Sequence, residues 1–303
     1  MEPLDVLLVG FESQENLGLR YVMASLAQQG FSVELIPFDA ADPDAVVSAA
    51  KRRSPKMIGF SIIFQYTIYD FRSVMRQLRL NRVDAHLTAG GHFPTLRPHD
   101  TFSELPELDS IVRFEGERSV CDLLARLDYP ETWGSIPGLA YRTEDEVVLT
   151  SPRPLVAELD TLPWPTRSTR RPVARGIPVA SILASRGCCF DCSFCSIRQF
   201  YGGAPGPVRR CRSAADVVAE MQHLHERYGV RLFVFHDDDF AAKTVRQRQW
   251  VENFFTELDN SGLSEQIGWK ISCRVDDIDT DIFRRGQQLG LISVYLGVES
   301  GSA

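Results

Sequence analysis

Residues 177–196 read IPVASILASRGCCFDCSFCS. The first half is a run of apolar and small residues with β-branched Ile and Val, the pattern of a strand buried on both faces of a parallel sheet. It passes directly through Ser185, Arg186 and Gly187 into a loop that holds four of the chain's seven cysteines within eight positions. In open α/β sheets the functional loops lie at the carboxyl ends of strands, so the placement itself marks a site. Cys188, Cys192 and Cys195 have the spacing CxxxCxxC. Three thiolates on so short a loop can converge on a [4Fe-4S] cluster, which ordinarily takes four, and one iron is then left open. Catalytic zinc sites keep a vacant position for substrate in the same way. A closed site is the alternative: Cys189, Cys192 and Cys195 spell CxxCxxC, and Cys211 or Cys273 could complete a zinc or ferredoxin-like set.

Composition narrows the class. A chain of 303 residues with 44% apolar content can bury two ordinary cores, so two domains are expected. The net charge of −7 argues against a general polyanion-binding surface, and no nucleic-acid partner is expected. The opening MEPLDVLLVG lacks a charged n-region and a cleavage site, and no later apolar run approaches membrane-spanning length. A cytoplasmic protein without a membrane partner follows. In a reducing compartment, an odd number of cysteines with one tight cluster points to metal or redox chemistry rather than a disulfide framework.

On the amino-terminal side, DVLLVGF, FSVELIPF, KMIGFSIIF, AHLTAGG and SIVRFEG read as strands. Segments with apolar residues at helical spacing alternate with them, which predicts a doubly wound parallel sheet over residues 1–135. Residues 136–175 read as a hairpin turning at Thr143 to Glu146, followed by the proline-rich connector LDTLPWPTRSTRRP. From 176 to 303 the strands IPVASILAS, VRLFVFHD, IGWKISCRV and SVYLGVES alternate with helices. In the best of these helices, SAADVVAEMQHLHERYG, Ser213 and Asp216 form a capping box and Gly229 ends the helix. About four βα units give part of a barrel, not a full eightfold one.

The segments SRGCCFDCSFCS, VRRCRS, FVFHDDDF, WKISCRVDD and YLGVESGS, in this order, resemble landmarks of the radical S-adenosylmethionine (SAM) enzymes that carry an N-terminal cobalamin (B12)-binding domain. The resemblance implies a flavodoxin-like first domain followed by the N-terminal part of a radical SAM barrel, with the usual last strands and any C-terminal substrate domain missing. It selects Cys188, Cys192 and Cys195 as iron ligands and leaves Cys189 a passenger. Phe194 is then expected near the SAM adenine, Asp237 and Asp238 near its amino group, Arg274 facing its carboxylate, and Glu299 with Ser300 near its ribose. These residue types suit those groups: an ammonium and hydroxyls call for carboxylate acceptors, and a carboxylate calls for Arg.

The implied activity is reductive cleavage of SAM to a 5′-deoxyadenosyl radical, with methyl transfer from cobalamin to an unactivated carbon as the leading outcome. Cyclisation or rearrangement would use the same visible residues, and a noncatalytic cobalamin or iron-sulfur module is the reading from another class. The implied partners are a small, natural-product-like substrate and an electron donor such as a flavodoxin or ferredoxin. In the first domain, Ser61 on the third strand and Gly90, Gly91 at the end of the fourth are expected against cobalamin, with His92 at its periphery. Families whose cobalt takes a protein histidine carry DxHxxG after the first strand; here that loop reads GFESQENLGLR, so no histidine ligand is expected. His86, in DAHLTAG, reads as a strand residue.

Overall fold

The computed structural model describes residues 4–144, 146–168, 172–241 and 244–301. Two compact units emerge: Met1–Val156 with Leu162–Arg167 and Gln199–Gly206, and Ala157–Thr161 with Ser168–Arg198 and Pro207–Ala303.

The first unit is built on strands β1 (Val6–Gly10), β2 (Val33–Pro37), β3 (Met57–Ser61), β4 (His86–Gly90) and β5 (Ser110–Val112). They pair in parallel in the order β2-β1-β3-β4-β5. β1 is buried along its whole length because alternate residues feed opposite layers. Leu7 and Val9 join Val46, Phe71, Val74 and Phe102, from the face covered by helices α2 (Asp44–Arg53), α3 (Ile68–Leu80) and α5 (Pro98–Glu104). Val6 and Leu8 join Leu19, Leu26, Val120 and Leu123, from the face covered by α1 (Leu17–Gln28) and α6 (Gly116–Ala125). Short α4 (His92–Leu96) follows β4. Strand order reverses between β1 and β3, which opens a crevice at their carboxyl ends.

The hairpin, which sequence reading assigns to the segment 136–175, belongs to this sheet. Its strands β6 (Leu139–Arg142) and β7 (Val147–Leu149) add antiparallel to β5 and cover an otherwise bare edge. Thr143 N–H donates to Glu146 O across the turn at 2.9 Å, while Asp145 lies outside the described residues. In the connector, Thr166 N–H donates to Arg20 O, and residues 169–171 lie outside the described residues.

The second unit opens with β8 (Val173–Ala174), antiparallel to β9 (Ile177–Ile182). Strands β10 (Ser185–Arg186) and β11 (Arg210–Cys211) pair with each other and flank the cysteine loop and α7 (Ser196–Gly202). Helices α8 (Ala214–Tyr228), α9 (Val245–Asn260) and α10 (Thr280–Gln288) alternate with β12 (Leu232–Phe235), β13 (Gly268–Arg274) and β14 (Leu291–Gly297). β9, β12, β13 and β14 are adjacent and parallel, the four strands expected. Phe233, Phe235, Met221, Phe254 and Trp269 fill the layer beneath α8 and α9. The capping box of α8 is only half formed: Ser213 Oγ accepts from Asp216 N–H, but Ser213 N–H donates to Asp160, and the Asp216 carboxylate is drawn to Arg212. No helix among the described residues is long and apolar enough to cross a membrane.

Candidate functional site

The cysteine loop leaves β9 at its carboxyl end, and the adjoining strand holds it in place. Asp237, just past β12, is 5% exposed. It accepts from Ala184 N–H at 3.1 Å on one oxygen and from the Ser185 hydroxyl on the other. Asp238 accepts from Gly187 N–H at 2.9 Å. Arg209 closes the clamp by donating from Nη1 to Gly187 O at 3.1 Å and from Nε to Gln247 Oε1 at 3.2 Å. Gly187 therefore has both backbone polar groups engaged, and its φ of +80° is a conformation that glycine adopts without a Cβ penalty. Arg212 N–H donates to Ala184 O, and its Nη1 donates to Leu183 O and pairs with buried Glu220.

On the loop itself Cys188, Cys192 and Cys195 are half-buried, whereas Cys189 is exposed. Cys195 N–H donates to Cys192 O at 3.0 Å, a tight turn joining two of the three expected ligands. Phe190 N–H points at Cys188 Sγ, 3.5 Å away, and Arg274 Nη1 donates to Cys192 Sγ at 2.9 Å. Burial pushes the Cys188 thiol up to about 11. Metal binding must remove that proton, so affinity rises with pH. Cys211 sits on β11 with its Sγ on Gln247, and Cys273 is buried in the apolar layer of β13, its thiol pushed up to about 11 by burial. Soft thiolates on a loop at a strand's carboxyl end suit an iron-sulfur cluster by their chemistry, although among the described residues no three His, Cys, Asp or Glu side chains converge as a metal site.

The acidic run departs from expectation in its division of labour. Asp237, expected beside an ammonium, spends both oxygens on the chain, because a carboxylate this deep must be satisfied from within. Burial raises its carboxyl, as it does that of Asp238, which lies at about 6. Asp239, which sequence reading passed over, is fully buried, and neither of its oxygens has a hydrogen-bond donor among the described residues. Burial first and the charge of Asp277 second raise it to about 6. Only the alternation of side chains past β12 would have singled it out. Arg209 and Gln247 were also missed as individuals, because their role is a tertiary contact with Gly187.

Phe194, Glu299 and Ser300 are open to solvent. The Phe194 ring is 70% exposed on the loop. Glu299 and Ser300, past the end of β14, are exposed, and Glu299 has a positive φ of 60°. Arg274 is already engaged: its guanidinium lies over the Phe190 ring at 4.1 Å, meets Asp276 at 2.7 Å and donates to Cys192.

In the first unit, Gly10 and Ser61 end the two strands at the reversal point, and Asn16 Nδ2 donates to Ser61 Oγ at 3.4 Å. A Cβ at Gly91 would lie 2.5 Å from Ile62 O, and one at Gly90 would lie 3.3 Å from Val112 O. Close approach of the chain to itself thus already requires Gly91, whose φ is +111°, while at Gly90 a side chain would be merely tight. His92 packs edge-on against Phe200 at 4.3 Å, and burial lowers its imidazole below the usual range. The loop without histidine after β1 carries two buried ion pairs, Glu12–Arg20 and Glu15–Arg167. Beyond Ser61, the exposed side chains of Ile63, Phe64 and Tyr66 offer apolar area, with Phe64 and Tyr66 stacked at 5.6 Å.

Two family models match the chain: B12 binding domain over residues 6–124 and Radical SAM superfamily over residues 182–303. The chain is thus a radical SAM superfamily protein with an N-terminal B12 binding domain. It is 28% identical over 291 residues to an uncharacterized methyltransferase of Pyrococcus horikoshii, covering 94% of this chain and 61% of the relative. It is 32% identical over 218 residues to the anaerobic magnesium-protoporphyrin IX monomethyl ester cyclase of Synechocystis sp., covering 70% and 41%. Among solved structures, the radical SAM methyltransferase TsrM of Kitasatospora setae, with cobalamin and [4Fe-4S] cluster bound, superposes at a TM-score of 0.76. That match has 19% identity and covers 98% of this chain and 59% of TsrM. The cobalamin-dependent SAM radical enzyme OxsB matches at 0.77 and 19%, covering 99% and 44%. The chain therefore spans less than two thirds of each of these proteins.

Proposed function

We propose that the chain is the cofactor-bearing part of a cobalamin-dependent radical SAM enzyme, a methyltransferase acting on an unactivated carbon of a small, natural-product-like molecule. The observation that carries this reading is the braced CxxxCxxC loop at the carboxyl end of β9, in a chain that also matches the B12 binding domain. Cys188, Cys192 and Cys195 would hold a [4Fe-4S] cluster, and Ser61, Gly90, Gly91 and the apolar side chains beyond Ser61 would face cobalamin. When bound, these groups supply an electron for reductive cleavage of SAM and a methyl group for transfer.

The chain's own residues bind and orient. Asp237, Asp238 and Arg209 fix the loop's entry at Ala184 to Gly187, and the three thiols would close on the cluster as it binds. The exposed Phe194 ring offers a face to adenine, and Glu299 and Ser300 offer acceptors to ribose hydroxyls. Asp238, an exposed residue, rather than Asp237 or fully buried Asp239, is the carboxyl of the run left to answer an ammonium. A first domain that extends from 1–135 to take in the hairpin, a second over 176–303, a cytoplasmic location and a flavodoxin or ferredoxin as electron donor complete the reading. Similarity to the Synechocystis cyclase favours a second outcome, ring formation, from the same residues.

Anaerobic reconstitution with iron and sulfide counting, followed by assay of 5′-deoxyadenosine from SAM and of cobalamin absorbance, tests the reading. About four irons per chain are expected, lost in Cys188→Ala and kept in Cys189→Ala. The reverse pattern, or bound zinc instead, would overturn it.

A further inference from the structure

The contacts of Arg274 place it against the cysteine loop rather than in open space. Its guanidinium has three engagements: the Phe190 ring at 4.1 Å, the Asp276 carboxylate at 2.7 Å and Cys192 Sγ at 2.9 Å. Phe190 lies between Cys188 and Cys192, so the stack grips the loop at the span joining two of the proposed ligands. Asp276 follows Arg274 by two residues and fixes the fork from behind, though its own side chain is 73% exposed. A planar guanidinium can stack on a ring and donate in its own plane at the same time, which an ammonium cannot do.

Resting on the proposed [4Fe-4S] site, we infer that Arg274 is a positioning residue that donates an N–H···S hydrogen bond to Cys192 and thereby raises the reduction potential of the cluster. The reduced cluster carries one more negative charge than the oxidised one, so a cation and a donor at a ligand sulfur stabilise it preferentially. The role differs from the one the resemblance implies, in which the same guanidinium faces the SAM carboxylate. Serving that carboxylate as well would fall to the guanidinium's remaining N–H groups, since one hydrogen each of Nη1 and Nη2 is engaged.

The test is an EPR-monitored redox titration of the anaerobically reconstituted full chain, poised with dithionite and mediators, with SAM affinity measured in parallel. Arg274→Met keeps an apolar stem over Phe190 but removes charge and donors. Its midpoint is expected to shift to more negative potential at unchanged iron and sulfide content, and Arg274→Lys should recover only part of the shift. Phe190→Leu, which retains the arginine and loosens its platform, should shift the midpoint in the same direction. An unchanged midpoint in Arg274→Met, together with SAM binding about tenfold weaker, would return the residue to the carboxylate and overturn the inference. Should Arg274→Met fail to take up iron, an unchanged midpoint in both Arg274→Lys and Phe190→Leu would overturn it equally. A wild-type chain that assembles no cluster would instead sink the functional reading, and this inference with it.

Discussion

At the scale of single residues, the glycines at the end of β4 show how a sequence signal can have two causes. Gly-Gly after a strand reads as room for a cofactor, but Gly91 has a φ of +111° and its missing Cβ would fall against Ile62 O. The chain's own path demands the residue, whatever binds above it. Gly91→Ala should therefore destabilise the first unit by about 2–4 kcal/mol, combining backbone strain with the steric contact. Chemical denaturation followed by circular dichroism would measure it, and a loss below about 0.5 kcal/mol would mean that the turn relaxes freely.

At the scale of elements, Asp237 is the link between β12 and the segment from β9 to β10. Both oxygens accept, from Ala184 N–H and from the Ser185 hydroxyl. Asp237→Asn replaces one acceptor by an amide NH₂ facing a donor. A cost of about 1–3 kcal/mol is expected for the second unit, with slower recovery of the cluster on reconstitution. Urea unfolding and the time course of iron uptake would report both effects. Unchanged stability would show that the loop stands without this brace. The neighbouring strands show the same division of work: β13 turns Trp269, Ile271 and Cys273 inward, while Arg274 at its end reaches the loop.

At the scale of the whole molecule, the first unit carries a built-in sensitivity to acid. His86 lies on β4 with its Nε2 at 2.7 Å from Ser110 Oγ and its ring edge-on to Trp133. Burial lowers its imidazole to about 4, against the opposing pull of Asp109. The unfolded chain then binds a proton that the folded unit refuses, so this contribution is complete above about pH 6.5 and is lost as pH falls toward 4. The loss is on the order of 3 kcal/mol at the bottom of that window, because each tenfold difference in proton affinity between the folded and unfolded chain is worth about 1.4 kcal/mol. His86→Gln should flatten the stability profile between pH 6.5 and 4. An identical profile in the variant would assign the acid sensitivity to other groups.

What the chain spells out residue by residue is its periodic content: a doubly wound parallel sheet, four further βα repeats, and a thiol cluster at the carboxyl end of the strand at Ile177–Ile182. These features are legible because burial on one or two faces imposes a local period, and because ligand spacing on a loop is written in consecutive residues. Folding was needed to establish that the hairpin joins the first sheet and that Asp160 completes the cap of α8. It was also needed to divide the acids of HDDD between bracing and exposure, and to bring Arg209, just before β11, and Arg274, at the end of β13, to the loop. Those outcomes depend on which groups burial brings together across tens of residues. A charged or polar side chain satisfies itself with whatever partner the fold delivers, and no local pattern encodes the choice.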